Sequence, residues 1–128
     1  RILVEGGVPI SAGENLHTIY DFQHMLQANG VSYIEPDVSN CGGITVWMKV
    51  AKLAEAKNLP VTSHGVHDIH VHLLGAVPNA SYLEVHGFGL ERFILEPLVV
   101  KDGFALAGEA PGHGIDFNWD GLGIHTSS

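Results

Sequence analysis

Residues 31–64 read VSYIEPDVSNCGGITVWMKVAKLAEAKNLPVTSH. Val31 to Ile34 is a short apolar run rich in strand-forming side chains, closed by Glu35-Pro36-Asp37. A glycine-containing loop then opens a helix from about Ile44 to Asn58, with Ile44, Met48, Ala51 and Ala54 predicted on its inner face. Lys49, Lys52, Glu55 and Lys57 form its solvated side. A second short strand, Pro60 to Ser63, delivers His64. Strand, helix and strand in one such stretch make a βαβ unit, whose crossover requires the two strands to be parallel.

The same unit extends in both directions. Upstream, a strand from Val8 to Ala12 ends at Gly13-Glu14-Asn15, and a helix from about Thr18 to Asn29 follows, with Gly30 as its stop signal. Ile19, Phe22, Met25 and Leu26 fall at offsets of three and four along one buried stripe, with Asp21 and Gln23 facing water. Downstream, a helix from about His67 to Val77 stops at Pro78, and Tyr82-Leu83 bring in Glu84. Glu14, Asp37, His64 and Glu84 thus each close an apolar run, at successive intervals of 23, 27 and 20 residues. Right-handed crossovers return the chain to the same edge, so corresponding strand ends converge on one face. Three acids and a histidine gathered there suit metal binding and proton transfer better than stability.

After Glu84 the period changes. Phe93 to Val100 and Phe104 to Ala107 flank Lys101-Asp102-Gly103, which predicts a strand pair joined by a glycine turn. The closing His125-Thr-Ser-Ser is expected to be loose or to depend on a partner segment.

With 128 residues and 45% hydrophobic content, the chain fits one modest domain with a packed core. Its apolar stretches are broken well before the roughly 18 residues a membrane span needs, and no signal peptide is expected before them. A formal charge of -8 with six scattered lysines and arginines leaves no cationic track for phosphate backbones. Neither nucleic acid nor membrane is therefore an expected partner. Cys41 is the single cysteine, which excludes an internal disulfide and points to a reducing, cytoplasmic setting.

Val8-Pro-Ile-Ser-Ala-Gly-Glu-Asn15, Pro36-Asp37 with Gly42-Gly-Ile-Thr45, Ser63-His64, His72-Leu-Leu-Gly-Ala-Val-Pro78, Tyr82-Leu-Glu84 and Pro111-Gly-His-Gly-Ile115 stand in order along the chain. This series resembles the enolase superfamily, specifically its mandelate racemase group. The resemblance implies an α/β fold, a partial TIM-like (β/α)7β barrel of roughly strands five to eight over residues 1–86. Residues 87–128 would form a tail returning toward a capping domain that this chain lacks. It further implies magnesium-dependent removal of a proton alpha to a carboxylate, most simply dehydration of an acid sugar, with racemisation or epimerisation of a 2-hydroxy acid as the alternative. The front half of such a barrel, with its lysine and two metal-ligand acids, would have to come from elsewhere. The isolated chain is accordingly expected to be inactive, and the full-length protein to be a homo-oligomer.

Under that resemblance Glu14 is the third metal ligand, a hard carboxylate of the kind magnesium prefers. His64 is the general base or acid, and Asp37 is the partner that orients it, as a carboxylate beside an imidazole would. Glu84 is a hydrogen-bond donor to the substrate carboxylate, for which it must carry a proton. Asn15 either contacts substrate or caps the following helix, and His67 is a substrate contact from the loop after His64. His67, His70 and His72 do not converge on one face of a helix and make no zinc site, and His72 is expected to pack inside. Cys41 has no base placed to activate it. Gly87-Phe-Gly89 and Gly112-His-Gly114 lack the strand-to-helix setting of a nucleotide loop. A reading of another class is a non-catalytic assembly module, whose open sheet edges would pair with a complementary half.

Overall fold

The computed structural model describes residues 5–87 and 90–123. The closing His125-Thr-Ser-Ser, and Phe88 and Gly89 of the glycine-flanked triplet, lie outside the described residues. Three strand-helix units occupy the first two thirds. Strand β1 (Ser11–Ala12) leads to helix α1 (Ile19–Ala28), strand β2 (Tyr33–Ile34) to α2 (Ile44–Glu55), and a segment at Val61 to α3 (His67–Gly75). β1 and β2 are parallel, Ser11 opposite Tyr33 and Ala12 opposite Ile34. Single parallel bridges continue the series from Ile34 to Val61 and from Val61 to Ala80. The four rungs stand side by side in chain order, as the βαβ spacing predicts, but each is shorter than its apolar run.

Local chemistry sets the helix ends. Thr18 caps α1 in a reciprocal box: its hydroxyl accepts from the Asp21 N–H at 3.3 Å, and the Asp21 carboxylate accepts from the Thr18 N–H at 3.0 Å. Asp21 is therefore engaged in the cap rather than simply facing water. The left-handed stop falls on Asn29 (φ 49°), one residue before the expected Gly30. Asn58 (φ 56°) ends the α2 region in the same way: the Leu59 N–H reaches the Ala54 carbonyl, and the Asn58 N–H reaches Glu55.

The core combines Phe22 and Leu26 of α1, Ile34, Val61, Leu73 and Leu74 of α3, and a face of α2 made by Trp47, Val50, Ala51 and Ala54. That face keeps the predicted Ala51 and Ala54 but replaces Ile44 and Met48 with Trp47 and Val50. Ile44 is 49% exposed, and Met48 is only partly buried. The physical reason is Trp47, whose indole N–H donates to the Pro36 carbonyl at 3.1 Å and turns the helix so that the largest side chain is innermost. Lys49, Lys52 and Lys57 are exposed as expected, with Lys52 bonded to Glu55 at 2.7 Å.

In the tail, β3 (Val99–Lys101) and β4 (Phe104–Leu106) pair antiparallel around Asp102 and Gly103. Both turn residues have positive φ (53° and 81°), the twist that suits a two-residue hairpin. The expected Phe93 to Val100 strand is divided between two partners. Ile94 bridges Phe117, whereas Val99 pairs with Leu106. A four-residue helix, α4 (Trp119–Leu122), follows, capped by the Asn118 side chain. No helix among the described residues is long and apolar enough to cross a membrane.

Candidate active site

Asp37 follows the β2 rung, and both of its carboxylate oxygens are engaged. Oδ1 accepts from the Ser39 N–H at 2.8 Å and from the Ser39 hydroxyl at 2.6 Å, and Oδ2 lies 3.1 Å from His64 Nδ1. With Asp37 buried and Ser39 holding its far oxygen, the carboxylate has one place to point. Burial alone would raise its pKa, but the Ser39 and His64 hydrogen bonds outweigh that and lower it. Desolvation likewise opposes charge on His64, yet the Asp37 hydrogen bond and the Glu84, Asp37 and Glu35 charges raise its pKa above the ordinary imidazole value. The two shifts agree in sense: each partner favours the charged form of the other. Oriented through Nδ1, the His64 ring turns Nε2 away from Asp37, and its side chain is 39% exposed. That nitrogen is suited to exchange a proton with a bound molecule.

The expected fourth position joins this pair through Gly65. The Gly65 N–H donates to Glu84 Oε2 at 2.8 Å, and the Glu84 N–H donates to the Ser63 hydroxyl at 3.1 Å. Gly65 has φ +63°, and a β-carbon there would lie 3.1 Å from Asp37 Oδ2. Only glycine lets this peptide pass between the two acids.

Glu14 ends β1 as expected, but its carboxylate folds onto its own turn. Oε2 accepts from the Gly13 N–H at 3.1 Å, and Oε1 accepts from the Asn15 amide at 3.2 Å. Asn15 is thus not the helix cap, a role that falls to Thr18. Asn40 ties this loop to the next by donating its amide to the Glu14 carbonyl at 3.1 Å. Among the described residues no group of three or more histidine, cysteine, aspartate and glutamate side chains could hold a metal ion. Glu14 fits a hard divalent cation as one ligand of a set, and the remaining ligands would come from outside the described residues.

The loop after His64 differs from expectation. His67 is 4% exposed in the first turn of α3, with its ring edge-on to His86 at 5.8 Å. His86, rather than His67, approaches Glu84, with Nε2 3.9 Å from Oε2. The signal for His86 was its place two residues after Glu84, on the same face of an extended chain. His72 is partly buried and lines a cavity of about 150 Å³ beside Glu96 and His113. Cys41 is buried as its inert reading requires, and burial together with the Asp37 charge pushes its thiol pKa up.

Glu35 was passed over in the sequence, although alternation from Asp37 puts it on the same strand face. Burial raises its pKa above the carboxylate norm, against a hydrogen bond with Ser11, and the charges of Glu14 and Glu84 add to the rise. With Ser11, Tyr33, Ser63 and Glu84 it borders an open cavity of about 290 Å³ at the strand ends.

Comparison with known proteins identifies the family. The family model described as enolase C-terminal domain-like matches residues 1–121. A 3,6-anhydro-alpha-L-galactonate cycloisomerase from Streptomyces coelicolor is 51% identical over 96% of the chain and 34% of its own length. A D-galactonate dehydratase from Pectobacterium atrosepticum is 29% identical over 99% of the chain and 35% of its own length. Among solved structures, a magnesium-bound racemase from Streptomyces coelicolor A3(2) superposes with a TM-score of 0.89 at 48% identity, covering 96% of this chain and 34% of that one. An L-talarate dehydratase from Polaromonas sp. JS666, complexed with magnesium and L-glucarate, gives 0.84 at 30% identity, covering 91% and 32%. The chain spans about a third of the length of these relatives.

Proposed function

The chain belongs to the enolase C-terminal domain-like family, and from that premise we propose that it carries the acid-base part of a magnesium-dependent acid-sugar dehydratase of the mandelate racemase type. The observation that carries the proposal is the His64 Nδ1 to Asp37 Oδ2 contact of 3.1 Å, with the second Asp37 oxygen held by Ser39. It fixes the ring and leaves Nε2 for the substrate.

In this scheme His64 Nε2 takes the proton alpha to the substrate carboxylate, and the C–H electron pair moves into the enediolate. The imidazolium, stabilised by Asp37, then gives that proton to the departing β-hydroxyl, which leaves as water. Glu84 has Oε2 occupied by the Gly65 N–H, which leaves Oε1 as the oxygen for a hydrogen bond with the substrate. Asn15 beside Glu14 is a substrate contact in the same scheme, whereas the burial of His67 passes that role to His86. Magnesium, when bound, supplies positive charge that offsets the second negative charge next to the carboxylate, and Glu14 would be one of its ligands. Racemisation would need a second base on the opposite face. The described lysines stand on the outer side of α2, in the turn after it and in the hairpin, so a lysine base would lie outside this segment. By itself the chain would supply a proton-transfer pair and one metal ligand, too little for turnover.

The test places residues 5–123 into the corresponding segment of the Streptomyces coelicolor cycloisomerase and follows solvent deuterium exchange at the alpha carbon across a panel of acid sugars with magnesium. Exchange is expected, and His64→Asn should reduce it by about a hundredfold or more. A folded chimera whose exchange rate ignores His64→Asn would overturn the assignment.

A further inference from the structure

We propose that His70, a fully buried histidine of α3, is the positioning residue that sets the distance between Asp37 and His64. The proposal rests on the reading of those two residues as the acid-base pair. His70 has no exposed surface, yet both of its ring nitrogens are engaged. Nε2 lies 3.1 Å from the Val38 backbone nitrogen, and Nδ1 lies 2.8 Å from the Gly65 carbonyl and 3.1 Å from that of Val66. An amide N–H can only donate and a carbonyl can only accept. The ring must therefore be neutral, with its proton on Nδ1 and its lone pair on Nε2.

The ring thus grips the N–H of the residue after Asp37 and the carbonyls of the two residues after His64. They lie on loops from different strands, joined otherwise by the functional pair itself and by a glycine whose Cβ space is closed by Asp37. Trp47 completes the hold from the other side, since its indole N–H donates to the Pro36 carbonyl just before Asp37 and its ring lies 6.0 Å from that of His70. Side chains from α2 and α3 thus fix the main chain on both sides of Asp37. Gly65 is held on both sides, its carbonyl by His70 and its N–H by Glu84. A catalytic pair needs its donor and acceptor within a few tenths of an ångström of a set geometry, which loops alone do not maintain. Burial also disfavours a charge on His70, which keeps the acceptor nitrogen in the form the Val38 N–H requires.

The test uses the chain as it is, with the imidazole resonances of His64 followed by NMR against pH. In Asp37→Asn the His64 midpoint should fall by about one pH unit, and in His70→Phe by at least about half as much. His70→Gln, whose amide oxygen accepts the Val38 N–H, should fall between wild type and His70→Phe. An unshifted midpoint in Asp37→Asn sinks the acid-base reading itself. A shift in Asp37→Asn together with a wild-type midpoint in folded His70→Phe sinks the positioning role alone. Should His70→Phe fail to fold, the nitrogen shifts of His70 in the wild type decide. A neutral ring with its proton on Nδ1 supports the clasp, and the opposite tautomer overturns it.

Discussion

The barrel segment, residues 8–86, and the tail, residues 90–123, fold by different means. In the barrel segment each rung is a residue or two, and nothing local would hold it. Its order comes from Phe22, Trp47, Ile34 and Val61 meeting in one core, and from side chains that bind the main chain of distant loops. The tail hairpin has the reverse character. Two positive-φ turn residues and a three-pair antiparallel register specify it, while Phe104 is 73% exposed and Val99, Val100 and Leu106 also face outward. Turn chemistry gives a hairpin its shape without a core, but parallel rungs joined by long crossovers need tertiary packing before they exist. The candidate site residues lie in the part that needs packing.

The largest effect should separate the two regions by size. Trp47→Ala removes a buried indole and its bond to Pro36 and should cost about 3–5 kcal/mol, against less than about 0.5 kcal/mol for Phe104→Ala. Denaturant titration of both variants measures it, and equal losses would break the contrast.

A finer test holds the backbone constant. Gly65 and Gly103 both have positive φ (63° and 81°), but a β-carbon at Gly65 meets Asp37 Oδ2, whereas at Gly103 it meets open space. Gly103→Ala should cost about 1 kcal/mol from backbone strain alone, and Gly65→Ala about 2–3 kcal/mol. Only Gly65→Ala should also move the His64 titration.

The smallest effect concerns pH. The raised pKa of His64 gives stability that is fully present below its ordinary 6.5 and is lost as pH rises through the folded value. The lowered pKa of Asp37 gives stability present above its ordinary 3.8 and lost as pH falls through the folded value. Asp37→Asn should therefore destabilise most between those limits and less in alkali, by under about 1 kcal/mol, because the His64 side chain is 39% exposed and solvent screens the pair. Amide exchange should show the change in α3 and leave Val99 to Leu106 unaltered.

Much of this was legible in advance. The alternation of apolar runs and helical stripes placed all three barrel helices within a few residues, and one-unit spacing brought Asp37 and His64 together. The inner face of α2 was right at Ala51 and Ala54 and misplaced at Ile44 and Met48, because its apolar residues wrap most of the helix. The choice of Trp47 over Ile44 depends on a carbonyl eleven residues away. Asn29 and Gly30 both tolerate the left-handed cap, so neighbouring candidates could not be separated by residue type. His70 was hidden because a histidine that bonds backbone groups carries no sequence mark; only its partners, 32, 5 and 4 residues distant, reveal it.

The sequence by itself determined which residues end the strands, the parallel order of the units and the hairpin turn, since each follows from short-range periodicity, crossover length and glycine chemistry. Tertiary structure alone decided how those ends are held: Ser39 and His64 dividing the oxygens of Asp37, Gly65 passing between two acids, and His70 binding two loops. Such contacts depend on distances between segments far apart in the chain, and those distances are fixed only when the core closes.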